Sequence, residues 1–489
     1  MKKYGEKSGT KRTAAIVGIV LCAFLALTGC GRVYVQRIAQ TANSGGVITY
    51  TVYYSDGSTS TFEIVNGVDG EDGANGKDVS IEDVYKKYVE TYGDISYAEF
   101  LEKYLNLEVD SFDGKCVANC LQSSMKVHAE FIETTTVGSL RPGQSMKVSD
   151  TVMSSGSAVI WDMNDEYTYI VTNYHVVYDA NADKSKNGGT KLARKINAYL
   201  YGSESTPVGT GTKGSDGYST IDYGDYVISC EYVGGSAACD IAVLRAKTNK
   251  IKSINSAAKP ITLASGYYVG ETAIAIGNTE NYGISVTRGI VSVDNEFINL
   301  DVDGTTRSYR SIRIDTAIYS GNSGGGLFND GGELIGITNA GDDEDQNINF
   351  AIPVEIVKNA VENILYYSDG SFGSAKCGYK ITLGIYVDTA NTRYVFDPSV
   401  GRGKIVEDVR VSNVTGGSPA EFMGLKEGDV IRAITVGSKE YTLNRYFEIS
   451  DILLTVRRND VIKIQYTRGG STVTSNPYTV IRDDLKAMD

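Results

Sequence analysis

Histidine is scarce in this chain: its 489 residues include only two, His128 and His175. Proline is also scarce, with seven residues, whereas glycine (54) and tyrosine (34) are abundant. Histidine is the side chain whose unperturbed pKa suits proton transfer near neutral pH. A site that uses histidine as a general base therefore has two candidates. The abundance of glycine and tyrosine, with short alternating apolar runs, predicts strands joined by glycine turns.

The sequence also lacks an excess of basic residues. Its formal net charge is −13 at pH 7. Residues 1–29 carry five basic residues and one acidic residue, so a chain without them would have a charge of −17. Nucleic acids and anionic lipid surfaces bind proteins through basic patches. The charge therefore argues against a nucleic-acid partner.

Cysteine usage points to neither a metal site nor a complete set of disulfides. Five cysteines follow residue 30, an odd number that cannot pair fully within one chain. Cys116 and Cys120 lack the second Cys/His pair that a zinc site needs, so we expect no metal and no other cofactor. Cys230 and Cys239 flank two glycines of a predicted hairpin. They can form a cross-strand disulfide or remain as two buried free thiols, and the sequence favours neither alternative.

One apolar run, residues 14–27, follows five basic residues near the N-terminus. It suits the core of an export signal better than a membrane span, because it is short. Leu27-Thr28-Gly29-Cys30 at its end resembles the lipobox of bacterial lipoproteins. The resemblance implies a signal peptide over residues 1–29 and a lipid anchor on Cys30, at the extracytoplasmic face of the cell membrane. A plain membrane helix or a chance cysteine is the alternative.

Residues 30–115 differ in pattern from the rest and predict a stalk with a small helical module. Alternating residues around Asp56-Gly57 predict a β-hairpin. Glycine at every third position over residues 67–76, without proline, favours a flexible linker over a collagen helix. Capping boxes open two predicted helices, residues 80–92 and 96–105.

Short strands and glycine turns then predict one domain over residues 125–365. His128 is expected on the surface of its first strand. A polar insertion, residues 179–220, is interpreted as a long surface loop. Residues 366–378 form a predicted linker.

A second compact segment covers residues 379–485. Ser418 and the proline after it predict the start of a helix, and Gly424 predicts its end. A second helix is predicted over residues 444–456, with Phe447, Ile449, Ile452 and Leu453 on its apolar side.

Three separated motifs supply the parts of a serine nucleophile. A serine hydroxyl needs a base that accepts its proton, a carboxylate that orients the base, and donors for the developing oxyanion. His175 follows an apolar strand, and Asp240 directly precedes another. Ser323 lies in a glycine turn in which the N–H groups of Gly321 and Ser323 can converge, since glycine tolerates the required dihedral angles.

In context, these motifs resemble the HtrA/Deg serine proteases, and their order His, Asp, Ser is that of the chymotrypsin fold. The resemblance covers roughly residues 125–485. It rests on the motifs at residues 155–160, 172–177, 240–244, 276–278, 285–292, 315–318 and 321–327. It implies a mainly β chain: a chymotrypsin-like double β-barrel followed by an α/β PDZ domain over residues 379–485.

The resemblance also implies residue roles. Ser323 would be the nucleophile, His175 the general base and acid, and Asp240 the orienting carboxylate, with Gly321 and Ser323 as the oxyanion hole. The implied substrate-binding residues are Asn339, Ala340 and Gly341 on the pairing strand and Ile348, Asn349 and Phe350 in the primary pocket. No acidic residue falls at the pocket wall, so small or medium apolar side chains are the expected fit.

The PDZ part of the resemblance lies at residues 418–431 and at the segment Leu383, Gly384 and Ile385. The N–H groups of this segment would receive the carboxylate of a peptide C-terminus. HtrA-like proteins commonly assemble as trimers, so the resemblance implies a homotrimer. The family's trimer contacts are not identifiable in this sequence.

The chain departs from the family pattern in three places. Gly326 replaces the usual proline. The spacing from His175 to Asp240 is long, so Asp222 and Asp225 are rivals, although only Asp240 directly precedes the matching strand. Asn322 replaces the aspartate of classical trypsins, so a freed N-terminal ammonium has no partner here, and regulation must come from elsewhere.

The sequence thus predicts a lipid-anchored serine endopeptidase of the HtrA/Deg type that cleaves misfolded or exposed extracytoplasmic proteins and captures peptide C-termini. One alternative is a surface-anchored chaperone or peptide-binding protein with a resting or inactive protease site. A second is an adhesin in which residues 31–115 dominate.

Overall fold

The computed structural model describes residues 35–44, 47–65, 81–92, 114–138, 145–341, 345, 347–370, 372, 376–397 and 402–489. It divides into two compact units, Met1–Asn106 and Leu107–Asp489. The signal segment, Cys30, the glycine-rich segment and the predicted helix over residues 96–105 lie outside the described residues. Strand accounts for 52% and helix for 14%, so the prediction of a mainly β chain is confirmed.

The first unit contains a three-stranded antiparallel sheet and a helix. Its elements are β1 (Val35–Ser44), β2 (Val47–Tyr54), β3 (Thr59–Val65) and α1 (Ile81–Tyr92). The β2–β3 turn contains the predicted Asp56-Gly57 pair. Ser58 donates its N–H to Asp56 Oδ1 at 2.9 Å, and Gly57 has a φ of 83°, which glycine tolerates without steric cost.

The second unit begins with a closed barrel whose strand order is β10-β11-β6-β5-β4-β7. Alternating apolar residues fill its interior, including Met125, Val127, Ile170 and Leu244. A separate ribbon pairs β8 with β9. The elements of this region are α2 (Gly114–Leu121), β4 (Ser124–Gly138), β5 (Ser145–Met163), β6 (Tyr167–Thr172), α3 (Tyr174–Val177), β7 (Lys195–Leu200), β8 (Val208–Lys213), β9 (Ser219–Asp222), β10 (Ile228–Ser236) and β11 (Ile241–Lys247).

The prediction of a surface loop over residues 179–220 is wrong for its central part. β7 lies within that range and pairs with both β4 and β10, so it completes the barrel. Ile196, Ala198 and Leu200 alternate along β7 and enter the barrel core. This short alternation is a strand signal, but the polar residues on either side of it obscured it.

The prediction that His128 lies on the surface is also wrong, since only 2% of it is exposed. His128 lies on the face of β4 opposite the barrel core, between Lys126 and Glu130, and other parts of the chain cover this face. The Tyr199 ring meets the His128 ring edge-on at 5.9 Å, and Lys126 Nζ donates to the Asn281 carbonyl at 3.3 Å. A residue on the outer face of a barrel strand is exposed only where nothing packs against that face.

A seven-stranded sheet follows, with the order β12-β17-β16-β13-β14-β15-β18. β17 also pairs with β18. This pairing joins six of the strands, β17-β16-β13-β14-β15-β18, into a closed ring. The elements are α4 (Thr248–Ile254), β12 (Thr262–Leu263), β13 (Thr272–Gly277), β14 (Ser285–Asp301), β15 (Thr306–Ile314), β16 (Gly326–Phe328), β17 (Glu333–Gly341), β18 (Asn349–Pro353) and α5 (Val354–Tyr367).

The C-terminal region packs helices against a five-stranded path, β20-β21-β22-β24-β25. Ser418 Oγ accepts the Glu421 N–H at 3.3 Å, which caps the predicted first helix. The second helix is shorter than predicted. The elements are β19 (Tyr379–Ile381), β20 (Ile385–Asp397), β21 (Arg402–Val414), α6 (Pro419–Phe422), β22 (Val430–Val436), β23 (Lys439–Thr442), α7 (Glu448–Leu453), β24 (Val461–Arg468), β25 (Ser471–Thr474), β26 (Tyr478–Thr479) and β27 (Leu485–Ala487).

Helix α5 joins the part of the second unit that contains the barrel and the seven-stranded sheet to the C-terminal region. Its Asn363 amide is fully buried. Asn363 Nδ2 donates to the carbonyls of Tyr379 at 2.8 Å and Leu454 at 2.7 Å, and its Oδ1 accepts the Tyr379 N–H at 2.8 Å. One amide therefore satisfies three backbone groups of the C-terminal region.

Candidate active site

His175 and Asp240 are in direct contact. His175 Nδ1 lies 2.8 Å from Asp240 Oδ2, and the His175 backbone N–H donates to Asp240 Oδ1 at 3.0 Å. Asp240 is completely buried, and the His175 side chain retains 31% exposure. Because the carboxylate accepts from Nδ1, the neutral imidazole keeps its lone pair on Nε2. The rivals Asp222 and Asp225 do not contact the ring.

Strand pairing explains this contact. β6 and β11 are antiparallel neighbours with Thr172 opposite Ala242. The residues after β6 and the residue before β11 therefore meet at one barrel edge. Asp240 has a φ of 51°, a conformation uncommon for a residue other than glycine, and Asn173 Nδ2 donates to its carbonyl at 2.9 Å.

The environment raises the pKa of His175 above its usual 6.5. Burial alone lowers the pKa of the ring, because it disfavours the imidazolium. The negative charge of Asp240 and its hydrogen bond to the ring favour the imidazolium and outweigh the effect of burial.

The Ser323 turn lies beside the same edge. A β-carbon placed on Gly156 would lie 2.7 Å from Val176 Cγ2 and 3.0 Å from the Ser323 carbonyl oxygen, so residues next to His175 and Ser323 converge on this glycine. Ser157 donates its N–H to the Ser323 carbonyl at 2.8 Å, which ties the turn to β5. The Ser323 hydroxyl itself donates to the Asn339 carbonyl at 3.3 Å and makes no hydrogen bond to His175 among the described residues.

The Ser323 turn carries two backbone donors, the N–H groups of Gly321 and Ser323. The Ser320 carbonyl accepts the Glu280 N–H at 2.8 Å, and the N–H at the other end of this trans peptide, that of Gly321, points the opposite way. Within the part of the chain that the structure describes, neither the Gly321 nor the Ser323 N–H has a protein acceptor. Two donors on one turn are therefore available to an incoming oxygen.

Sequence reasoning missed the loop that supports this turn. A β-carbon at Gly321 would lie 2.2 Å from the Asn278 carbonyl oxygen, so only glycine fits there. Glu280 and Asn281 both have positive φ values, 52° and 62°. The Asn281 side chain accepts from Ser155 Oγ at 3.1 Å. The sequence motif at residues 276–278 does not reveal this supporting role, because the role depends on contacts with residues more than 40 positions away along the chain.

The predicted pocket residues lie on two paired strands. Gly341 pairs with Asn349 and Ala340 with Phe350. A β-carbon at Gly341 would lie 2.7 Å from Asn349 Oδ1 and 3.1 Å from the Ile318 carbonyl oxygen. The buried amide of Asn349, one of the predicted pocket residues, therefore lies behind Gly341. Asn339 is buried beside the Ser323 hydroxyl, and Ile348 directly precedes β18.

The segment Leu383, Gly384 and Ile385 leads into β20, and contacts with residues before and within α6 hold it in place. The Ala420 N–H donates to the Leu383 carbonyl at 3.0 Å, and the Thr415 N–H donates to the Gly384 carbonyl at 2.8 Å. Gly384 has a φ of 78°. β20 is an edge strand of its sheet. Over the described residues, one of its two edges therefore has no strand partner.

Cys230 and Cys239 are free thiols, which answers the question left open for this pair. No group of three or more metal-ligating side chains occurs among the described residues. The described helices include none with the length and apolar character that a membrane span requires.

The comparisons with known proteins agree with the site geometry. Residues 156–337 match the family model of the trypsin-like peptidase domain. The serine protease Do-like HtrA of Lactococcus lactis subsp. lactis is 27% identical over 387 residues, which cover 76% of this chain and 82% of that protein. The serine protease Do-like HtrA of Bacillus subtilis is 28% identical over 335 residues, covering 66% of this chain and 63% of that protein. A probable periplasmic serine protease do/HhoA-like of Haemophilus influenzae is 36% identical over 209 residues, covering 42% of this chain and 41% of that protein.

This chain therefore contains a trypsin-like serine protease domain. The curated relatives that it resembles are serine proteases of the HtrA/Deg type.

Proposed function

We propose that this protein is a serine endopeptidase that hydrolyses peptide bonds of misfolded or exposed extracytoplasmic proteins. The observation that carries the proposal is the pair of hydrogen bonds that His175 donates to the Asp240 carboxylate, at 2.8 and 3.0 Å, on the barrel edge beside the Ser323 turn. It fixes the imidazole with Nε2 free to accept a proton.

In the first half of the reaction, His175 Nε2 accepts the Ser323 hydroxyl proton while Oγ bonds to the scissile carbonyl carbon. The Gly321 and Ser323 N–H groups donate to the oxyanion. The imidazolium then protonates the leaving amine as the C–N bond breaks. In the second half, water loses its proton to His175 and attacks the acyl-enzyme, and Ser323 regains its proton as the ester bond breaks.

The substrate chain would pair with the backbone of Asn339, Ala340 and Gly341, and its side chain would enter the pocket bounded by Asn349 and Phe350. Small or medium side chains fit best, because Asn349 fills the space behind Gly341. The C-terminal region would act as a PDZ domain that captures peptide C-termini at Leu383, Gly384 and Ile385. The free edge of β20 supports this part of the proposal.

Localisation at the membrane rests on the lipobox resemblance. Acyl chains on Cys30 would anchor the protein, with each buried CH₂ group contributing about 0.8 kcal/mol. The substitution Cys30→Ser is expected to release an active enzyme from the membrane fraction. Sedimentation of that variant with membranes after a high-salt wash would show a different anchor.

Digestion of casein by the soluble chain tests the activity. Ser323→Ala is expected to abolish hydrolysis and to leave folding intact, since it removes one oxygen from a turn. Ser253→Ala, on an exposed face of α4, is the matched control and should retain full activity. Equal rates for wild type and Ser323→Ala would refute the proposal.

A second function is a chaperone or peptide-binding protein with a resting site. It is favoured by the Ser323 hydroxyl, which bonds to the Asn339 carbonyl and not to His175. Labelling with a phosphonofluoridate separates the two functions, because only an activated Ser323 reacts.

A further inference from the structure

The end of β10 and the turn after it, residues 235–238, are bonded to two distant parts of the chain. The Gly235 N–H donates to the Lys376 carbonyl at 3.0 Å, and the Gly378 N–H donates to the Gly235 carbonyl at 3.4 Å. Further along, Ser236 Oγ donates to the Met488 carbonyl at 3.1 Å, and the Ala238 N–H donates to the same oxygen at 3.2 Å. Met488 therefore holds the segment just two residues before Asp240.

Met488 stands at the end of a two-stranded ribbon formed by β19 and β27. Tyr379 pairs with Ala487 and Ile381 pairs with Leu485. The Met488 N–H extends this ribbon by donating to the Gly378 carbonyl at 3.0 Å. Gly378 and Met488, which both bond to residues 235–238, are thus joined to each other at the end of this ribbon.

The Met488 side chain fixes the end of the ribbon. It is 4% exposed and belongs to the hydrophobic cluster that contains Cys239, Ile241 and Val243. Gly378 makes room for it, because a β-carbon at that position would lie 2.4 Å from Met488 Cε. Burial of this thioether holds the carbonyl of Met488 against Ser236 and Ala238.

The turn that Met488 holds stores backbone strain. Asp240 has a φ of 51°, a conformation that persists only if its surroundings impose it. Within the turn, the Cys239 N–H donates to Ser236 Oγ at 3.1 Å. The Tyr309 hydroxyl donates to the Ala237 carbonyl at 2.7 Å from the other side. Tyr309 and Met488 together hold the turn from two directions.

We propose that Met488 is a positioning residue for Asp240. Its carbonyl and buried side chain keep the turn of residues 236–240 in the strained form that directs the carboxylate at His175. This inference rests on the proposed protease function for its effect on turnover. It does not rest on that function for its effect on the His175 ring, which is measurable without substrate.

The experiment compares a chain that ends at Ala487 with a chain that lacks only Asp489. The Met488→Leu variant, which keeps an apolar side chain, is the rescue control, and Met488→Gly removes the side chain alone. Circular dichroism and thermal unfolding monitor folding in each case. NMR titration of the ring protons follows His175, and the other histidine, His128, is identified with a His128→Leu variant.

Loss of Met488 is expected to lower the pKa of His175, because a displaced Asp240 no longer favours the imidazolium. The kcat for a short peptide should fall roughly 10- to 100-fold with KM nearly unchanged, since a 1 Å misplacement of catalytic groups has effects of this size. The acid limb of the pH profile should move to lower pH. The chain lacking only Asp489 and the Met488→Leu variant should match wild type.

A merely structural role for Met488 would lower the melting temperature and leave the His175 titration unchanged, and that result would overturn the inference. Wild-type kcat in folded Met488→Gly and in the chain ending at Ala487 would overturn it as well. If wild type shows no Ser323-dependent hydrolysis, the proposed function fails. The NMR titration then still decides the positioning role by itself.

Discussion

Arg310, on β15, donates to the carboxylate of Asp451, on α7, across the boundary between the protease domain and the C-terminal region, with 2.7 Å between Nη2 and Oδ2. Both side chains are almost completely buried. The Arg310 guanidinium also stacks on the Phe447 ring at 4.5 Å and donates to the Tyr267 hydroxyl at 3.0 Å. β15 is the strand before the segment that carries Ser323. The ion pair therefore links α7 to the strand that leads into the Ser323 turn.

Removal of one partner of this pair should destabilise the protein strongly. Asp451→Asn removes the nearer carboxylate of the buried Arg310 guanidinium and leaves it the more distant Glu355, whose Oε2 lies 3.8 Å from Nη2. Loss of one partner of a buried ion pair costs about 3–5 kcal/mol of unfolding free energy. Urea unfolding measures it. The exposed pair Lys247–Glu166, with side chains 53% and 69% exposed, is the matched control, and Glu166→Gln should change stability by less than about 1 kcal/mol. Equal effects of the two substitutions would contradict a buried charge at Arg310.

The pH dependence of hydrolysis should follow His175. Only the neutral ring accepts the Ser323 proton, and contact with Asp240 raises the pKa of the ring, so the acid limb of kcat/KM should have its midpoint above 6.5. Asp240→Asn removes the charge that favours the imidazolium, so the midpoint should move to lower pH while the plateau falls by on the order of 10⁴. A rate that stays constant from pH 8 to pH 5 would exclude His175 as the base.

The buried His128 should make the protein less stable in acid. Burial, followed by the charge of Lys126, lowers the pKa of His128 from 6.5 to about 4. Between these values the unfolded chain binds a proton that the folded chain does not, so stability falls as pH decreases from 6.5 to 4, by up to about 3 kcal/mol.

The variant His128→Leu isolates this contribution. Between pH 7 and pH 4.5 the stability of this variant should decrease less than that of wild type. Urea unfolding at a series of pH values measures the difference. Wild type is the reference, because other groups titrate equally in both proteins. Parallel pH curves for the two proteins would show that folding does not lower the pKa of His128.

The sequence predicted His175, Asp240 and Ser323 because each lies in a short motif next to an apolar strand, where local pattern carries the information. It did not predict the burial of His128, because that depends on Tyr199 from elsewhere in the chain. The ion pair between Arg310 and Asp451, and the contact of Met488 with the Asp240 turn, join residues 141 and about 250 positions apart. Periodicity contains no signal for such contacts, since each partner has an ordinary local sequence.

Asn349 should limit the size of the substrate side chain. Asn349→Ala removes the amide that lies behind Gly341, which enlarges the pocket by the volume of that group. The ratio of kcat/KM for a leucine peptide to that for an alanine peptide should rise roughly 10-fold, because each additional methylene is worth about 1–3 kcal/mol in an apolar pocket. The alanine peptide is an internal control for enzyme concentration and folding. An unchanged ratio would show that another residue sets the depth of the pocket.

Occupancy of the proposed peptide site at Gly384 should raise turnover. A peptide with a free apolar C-terminus is expected to increase kcat several-fold, a coupling of about 1 kcal/mol. The physical route runs from Leu383–Ile385 through the adjoining β19–β27 ribbon to residues 235–238, beside Asp240.

Deletion of residues 379–489 is a poor test of this coupling, because it also removes Met488 from the Asp240 turn. Gly384→Ala is sharper: the residue has a φ of 78°, and a β-carbon there would lie 2.3 Å from Ser418 Cβ. The nearby Gly416→Ala is the matched control, since that β-carbon would meet nothing within 4 Å. Gly384→Ala should keep basal turnover and lose the response to peptide, whereas Gly416→Ala should keep both. If peptide stimulates all three proteins equally, the peptide acts at another site and the route through Gly384 is wrong.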